Sequence, residues 1–574
     1  MPFSPKQLFF QQRLLESLNY RAIDSYRARV LNSLRAVEEL LRVYEGRIKG
    51  RYKQHEYLQH CLEETRSLLR PDDTLQYSSF TKSFFLELLA KVDSKNYVQE
   101  WPTVKTAVRS LINGNQGYAA SVLAQLEVEL TTPDEQDPFK SQFRRVERLT
   151  LVLATELLYR GYSKYHAYQT IGRILKPTKE FQDAFAAFKK FALSDTTPYT
   201  VMFKVYAPRL TIQDWPETPN WEITTDPVSE DVMRDRAKSW LAKRDNYFFL
   251  RTHQIAMDHR AAVAKSLSSI AELLDLIRLA HRETHVDMQF HALVFPEEQP
   301  QFAGTPPIRE RPDGYLLTSD DLLKKLQSKT TAVLTNPNVE SSTKEKIRSA
   351  IRYLRFGLES NEIGQQYLNY WIGLEYLFSN FKDSTFSRIK NILPDLQTSS
   401  YFHRNLLDFH RTLATVPGND AIKDFDRADI YCLLRDECLI SIRDDLYATN
   451  PLLSYRAWKL RNRIKDGANQ AFSEYLTRHH TNMVWHLSRI YRVRNQIVHE
   501  ASYQTINPTL AANLRYYLAS VLNLSLDYFS KETLEATNIG ELFALLQLRL
   551  KSLEAEGYPY DKLLSMQNGS VLLN

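Results

Sequence analysis

The stretch Arg489-Ile490-Tyr491-Arg492-Val493-Arg494-Asn495-Gln496-Ile497-Val498-His499-Glu500 decides how this chain is read. At 3.6 residues per turn, Ile490, Val493 and Ile497 share one face, which predicts a helix with an apolar side turned to a core. Asn495 and His499 are four apart and therefore neighbours on a more polar face. Arg492, seven before His499, lies on that same side. Arg494 is five before His499, about 140° around the axis. One straight helix keeps those two apart, so either the helix ends near His499 or a second copy of the motif completes the site.

The residue types suit RNA cleavage without a metal. A base must take the 2′-OH proton, an acid must protonate the leaving 5′ oxygen, and a cation must stabilise the charged phosphorane. Histidine titrates near neutrality and serves the proton transfers. Arginine offers permanent, bidentate donors to phosphate. Asn495 is placed to hold the His499 ring or the phosphate. The spacing alone is unspecific, since roughly three such Arg-to-His matches are expected by chance. Arg160 to His166 and Arg404-Asn405 to His410 are further examples.

Outward from this helix the pattern is mainly α. Helical segments are predicted at Thr343 to Leu358, Asn361 to Phe378, Pro508 to Ser530 and Ile539 to Glu554, with an interrupted helical insertion over 381–478. Upstream, Pro5 to Glu129 is helical; Leu34, Val37, Leu41 and Tyr44 form one apolar stripe, and Arg35, Glu38, Glu39 and Arg42 fill the other faces. A polar break near 131–139 precedes a second helical block from Lys140 to Leu193. A small β element is expected at about 199–226: Val201, Phe203 and Val205 alternate with Thr200, Met202 and Lys204, and a second strand is expected at Glu222 to Thr225. Helix is expected to resume from Ser229 to Arg282. Phe295 to Gly314 carries five prolines and two glycines, which no continuous helix crosses. The organisation expected is a mostly helical region 1–315, a linker and lead-in 316–342, a helical bundle 343–535 and a C-terminal helix and tail 536–574.

Composition bounds the class. The 574 residues exceed one compact core. Apolar residues at 43% and charged residues at 25% are ordinary for a globular chain, and only 16 glycines favour helix over a turn-rich β fold. A net charge of +6 from 74 basic and 68 acidic residues permits a polyanionic partner only through a local patch. Cys61, Cys432 and Cys438 are too few and too odd in number for a disulfide framework, so a reducing cytoplasm is the expected location. The N-terminus does not read as a signal peptide, and no run of about 18 apolar residues predicts a membrane span.

The helix Tyr367-Leu368-Asn369-Tyr370-Trp371-Ile372-Gly373-Leu374-Glu375-Tyr376-Leu377-Phe378, followed at a distance by the Arg-Asn-x3-His motif, resembles the HEPN superfamily, specifically its Apea-like branch. The resemblance covers about Thr343 to Lys531. It implies a C-terminal helical bundle that forms a homodimer and joins two motifs in one cleft. It also implies a metal-independent endoribonuclease that leaves a 2′,3′-cyclic phosphate and needs no cofactor. Carried over to this chain, Arg494 and His499 are catalytic and Asn495 assists them. Glu375 matches the acidic position of the companion helix and orients the arginine, with Arg492 in support. Many members are toxins or anti-phage effectors that cut tRNA or mRNA, which makes RNA the implied substrate and a phage-derived trigger at the N-terminal region an implied partner. Other members are non-catalytic dimerisation or RNA-binding scaffolds, the alternative reading. The tyrosine two residues after the histidine, seen in members silenced by a nucleotidyltransferase antitoxin, is not matched: Ala501 stands there, and Tyr503 lies further on.

Basic clusters at Arg478-His479-His480, at Arg489/Arg492/Arg494 and at Arg456/Lys459/Arg461/Arg463/Lys465 are candidate RNA contacts, with Tyr455, Trp458 and Tyr491 placed to stack on bases. The equal alternative is solvated helix faces and core aromatics. His55-x4-His60 has the wrong phase for one helix face. His281-x3-His285, with Asp287 and His291 nearby, lacks a clear further ligand, and Cys432-x5-Cys438 reads as small buried groups, so no metal is expected. No glycine-rich phosphate loop is present.

Overall fold

The computed structural model describes residues 3–19, 31–133, 135, 137–216, 220–225, 235–242, 247–281, 286–308, 320–360, 362–380, 384–416, 422, 425–465, 469–500 and 507–557. The fold is mainly α with a small β insertion. Among the described residues, nine helices come first: α1 (Pro5–Ser17), α2 (Ser33–Ile48), α3 (Glu56–Leu69), α4 (Lys82–Lys91), α5 (Tyr97–Gly114), α6 (Tyr118–Thr131), α7 (Gln142–Tyr159), α8 (Lys164–Ile174) and α9 (Phe181–Ala192). The sheet module follows, with β1 (Thr197–Tyr206), β2 (Glu222–Thr224), α10 (Asp235–Ala242), β3 (Tyr247–Ala256), α11 (His259–Ala280), β4 (Asp287–Met288) and β5 (Leu293–Pro296). The C-terminal part holds α12 (Asp320–Thr335), α13 (Ser341–Glu359), α14 (Ile363–Phe378), α15 (Thr385–Ala414), α16 (Asp436–Asp445), α17 (Pro451–Ile464), α18 (Asn469–Glu500), α19 (Pro508–Phe529) and α20 (Ile539–Ala555).

The sheet module is larger than its sequence pattern. Residues 247–256, expected to be helical, are a strand paired antiparallel with β1 along its whole length, from Thr197↔Ala256 to Tyr206↔Tyr247. The aromatic run Tyr247-Phe248-Phe249 fits a pleated surface better than a helix once β1 supplies the partner edge. The expected alternation on β1 is lost because both faces are covered. Val201, Phe203 and Val205 pack with Ile270 and Leu273 of α11, whereas Met202 packs with Leu241 of α10 and with Phe249. Lys204, on the opposite face from Val201, Phe203 and Val205, is buried and donates to the Trp240 carbonyl at 2.6 Å. The first strand ends at Tyr206, and a short turn of 3-10 helix occupies 212–214.

The proline-rich stretch is pinned back on this module. Val294 and Gly304 exchange backbone hydrogen bonds at 2.7 and 2.9 Å, and Ile308 is buried. Asp258 ties the module to the first helices. Its carboxylate caps α11 through Arg260 N at 2.9 Å and Ala261 N at 3.1 Å, and also accepts from Ser163 N at 2.7 Å.

The helices on either side of the sheet module share one core. Phe9, Tyr44 and Phe143 belong to the same buried cluster as Trp371, Ile490 and Tyr517. The boundary expected near 315 thus separates stretches of sequence whose apolar faces are buried together. The insertion adds a satellite core of its own, with Phe402, Leu439, Leu460 and Leu476. Within the C-terminal helices, Gly373 lets α14 lie close to α19, because a Cβ there would come 2.7 Å from Leu518. Asn507 caps α19 by accepting from Thr509 N at 2.9 Å, with Pro508 in the first turn.

Candidate functional site

Trp371 and Glu375 sit one turn apart on α14, and α18 packs across that face. Tyr367 fixes the crossing by donating from its hydroxyl to the Ile490 carbonyl at 2.8 Å. Trp371 is fully buried and its indole N–H donates to Glu375 Oε1 at 2.6 Å. That bond holds the carboxylate at the rim, where its Oε1 lies 3.7 Å from Arg494 Nη2. Arg494 also donates from Nη1 to Asn495 Oδ1 at 3.2 Å. The result is a chain Trp371–Glu375–Arg494–Asn495 running from the core to the surface.

The Arg494 side chain is 23% exposed. Its Nε is buried and has no hydrogen-bond partner. A buried, unsatisfied guanidinium N–H is costly. Tyr376 of α14 and Val498 of α18, the two helices that carry this chain of contacts, are exposed, as are Phe356 and Leu358 of α13. Tyr353 and Tyr376 stack with centroids 5.4 Å apart. The backbone of α18 continues through Glu500, so His499 lies one helical turn beyond Asn495; its side chain falls outside the described ones.

Other expected site residues have different surroundings. Arg489 is 5% exposed and faces the N-terminal helices, donating from Nε to Glu39 at 2.9 and 3.0 Å and from Nη2 to Glu64. Arg492, also buried, donates to Glu39. Burial would raise the Glu39 carboxyl, but the two arginines override it and hold it down at about 2. Burial raises Glu64, with Arg489 opposing. This cluster clamps α2 and α3 onto α18, which takes Arg489 away from an RNA-facing surface and Arg492 away from Arg494. Glu39, expected on a solvated face, is only 8% exposed because of this pairing.

Tyr491 lies flat on Phe386 with centroids 3.8 Å apart and also meets Trp371 and Tyr57. Its ring therefore knits α3, α14, α15 and α18 together. Tyr455 is buried against Phe9, Phe139 and Phe143, and Trp458 stacks on it. These aromatics serve packing, one of the two equal alternatives left by the sequence, and not base stacking. Arg478 is exposed on α18 and keeps the character of a surface cation. Of the residues proposed for RNA contact, Arg478 and Lys465 are exposed.

The competing motifs are absorbed elsewhere. Arg160 donates to the Ser194 carbonyl at 2.8 Å, and His410 contacts the Asp426 carbonyl at 3.0 Å. His60 meets Ser488 Oγ at 2.7 Å, joining α3 to α18. His285 lies outside the described residues. Cys432 and Cys438 are buried as expected. Among the described residues, no three His, Cys, Asp or Glu side chains converge as metal ligands, and no helix is long and apolar enough to cross a membrane.

Sequence reasoning found the Arg494–Glu375 pair but not the Glu39–Glu64–Arg489–Arg492 cluster. The available signal was Glu39 between Val37 and Leu40 at the edge of an apolar stripe, a place where a carboxylate needs a partner. No family model, curated protein or solved structure matches this chain.

Proposed function

We propose that this chain is a metal-independent endoribonuclease of the HEPN type, acting as a homodimeric toxin or anti-phage effector in the cytoplasm. The observation that carries the reading is the core-anchored chain Trp371–Glu375–Arg494–Asn495, which holds the partly exposed Arg494 side chain in place. Phosphorane stabilisation requires such a fixed cation.

In the proposed reaction one His499 takes the 2′-OH proton and the 2′ oxygen attacks the adjacent phosphorus. The P–O5′ bond breaks, and a second acid, the partner copy's equivalent histidine, protonates the leaving 5′ oxygen. The products are a 2′,3′-cyclic phosphate and a 5′-OH end. Arg494 stabilises the charge on the phosphorane, Glu375 holds Arg494 in place, and Asn495 aids the histidine or the phosphate. The exposed Tyr376 and Val498 would be covered by the second copy, which supports a composite cleft. The N-terminal helices, clamped to α18 through Arg489, are suited to relay a phage-derived trigger to the site.

The second reading, a non-catalytic dimerisation or RNA-binding scaffold, draws on the exposed cation Arg478. Purified protein incubated with total RNA in EDTA separates the two. Cleavage lost in both Arg494→Ala and His499→Ala supports the nuclease; RNA binding without cleavage supports the scaffold.

A further inference from the structure

The functional end of α18 is held from two sides. Arg494 and Gln496 are two residues apart, about 200° around the helix axis, so they face opposite ways. Arg494 meets Glu375 of α14 at 3.7 Å. Gln496 turns toward the N-terminal helices and donates from Nε2 to the Tyr52 hydroxyl at 3.0 Å. Beyond Gln496 the helix buries Ile497 and exposes Val498. His499 follows three residues after Gln496, a spacing that puts both on one side of the helix.

The turn after α2 is built to deliver that hydroxyl. The helix ends in a Schellman turn: Gly50, at φ 76°, donates its N–H to the Arg47 carbonyl at 3.1 Å, and Arg51 N donates to the Gly46 carbonyl at 2.9 Å. The reversal lays the Tyr52 ring on Gly46, where a Cβ would come 2.5 Å from the ring. Arg47 Nη1 fixes the backbone that follows, donating to the Tyr52 carbonyl at 2.8 Å and to the Lys53 carbonyl at 2.7 Å. Tyr57 meets the Tyr52 ring edge-on with centroids 6.3 Å apart, and itself meets Tyr491 of α18 at 6.1 Å. Tyr52 is buried among these neighbours, which confines its ring.

The place of this bond along α18 sets what it does. Ser488, Arg489 and Arg492 also contact α2 and α3, but they lie about two turns or more before His499. Contacts there dock the helices. Helix ends fray, and a reacting group misplaced by about 1 Å costs rate steeply. A bond within one turn of His499 therefore acts on the placement of that residue.

We propose that Tyr52 is a positioning residue for His499: through Gln496 it seats the last turn of α18, which makes the turn after α2 a working part of the nuclease site. The inference rests on the ribonuclease reading. It names the joint through which the N-terminal helices govern the site. Docked, they seat the last turn; withdrawn, they release it.

The test is steady-state cleavage by the full chain of a transcript chosen from the parent's own cut sites in total RNA. Hydrogen exchange of the segment after Gln496 adds a readout that needs no activity. Tyr52→Phe removes the hydroxyl alone. It should lower kcat about fivefold, leave KM within about twofold and keep Tm within about 2 °C of the parent. Amide exchange from Ile497 onward should quicken. Gln496→Ala should do the same, and the double variant should fall no further than either, because both remove one bond. Gly46→Ala, which displaces the ring, should follow them. Ser488→Ala breaks the His60 contact and should leave kcat and that exchange unchanged. The inference is overturned if Tyr52→Phe cleaves and exchanges like the parent, if the two single losses multiply in the double variant, or if Ser488→Ala lowers kcat as much as Tyr52→Phe. A parent that cuts no RNA overturns the ribonuclease reading and the role in catalysis with it; exchange in Tyr52→Phe then still shows whether the hydroxyl holds the helix end.

Discussion

Arg494 of α18 and Glu375 of α14 are 3.7 Å apart, and the indole of Trp371 holds the carboxylate in place from the core side. A guanidinium fixed in this way loses little freedom when it meets a phosphate. We expect Arg494→Ala to lower RNA cleavage by at least about 100-fold. Arg494→Lys should recover little of it, because an ammonium lacks the planar fork. Glu375→Gln should cost about tenfold in rate and leave Tm within about 2 °C of the parent. A Glu375→Gln variant with full activity would remove the orienting role.

Arg489 occupies the same helix in a different capacity. Its loss leaves Glu39 and Glu64 buried with one arginine fewer, and breaking such a buried pair costs about 3–5 kcal/mol. Arg489→Ala should therefore lower the denaturant midpoint sharply, whereas Arg478→Ala, at an exposed position, should stay within about 0.5 kcal/mol. Equal effects of the two substitutions on stability would contradict the clamp.

Acid lability follows from His486. Burial holds this ring at about 3, against an ordinary value of 6.5, while its Nδ1 meets the Tyr517 hydroxyl at 2.9 Å. Between pH 6.5 and 3 the unfolded chain binds a proton that the folded chain refuses, so stability falls as pH drops through that window. The full effect is on the order of a few kcal/mol. Glu39 acts lower: its contribution is present above 4.5 and is lost as pH falls toward 2. In thermal melts from pH 7 to 4.5, His486→Gln should lose less Tm than the parent. Parallel curves would show that His486 does not set the slope.

The exposed apolar residues around the Arg494 chain predict self-association. Val498→Asp and Tyr376→Asp should each convert the dimer to monomer in light scattering at micromolar concentration, with little change in the monomer's far-ultraviolet circular dichroism. A parent chain that is already monomeric at that concentration would contradict the composite cleft.

Much of this architecture was legible in local pattern, and the rest depended on distant partners. Helices α13, α14, α19 and α20 follow their 3.6-residue stripes to within two residues at either end. The helix α18 begins at Asn469, inside the stretch 381–478 expected to be an interrupted insertion, and its first turns pack in the satellite core there. Strand β3 was read as helix because a short aromatic run is ambiguous until β1, forty residues earlier, supplies the edge. The Glu375–Arg494 pair was foreseen from two motifs on two helices. The roles of Arg489 and Arg492 were not, because their partner Glu39 lies about 450 residues away. The bond from Gln496 to Tyr52 is illegible for the same reason: its partners lie 444 residues apart.

The central claim is that Arg494 and His499 form half of an RNA-cleaving site. The most direct test is end-mapping of total RNA incubated with the purified protein in EDTA. The account predicts cuts with 2′,3′-cyclic phosphate and 5′-OH ends, abolished in Arg494→Ala and in His499→Ala, and partly restored when the two variants are mixed, if each supplies what the other lacks across the dimer. Intact RNA with the parent protein, or cleavage that survives both substitutions, would contradict it.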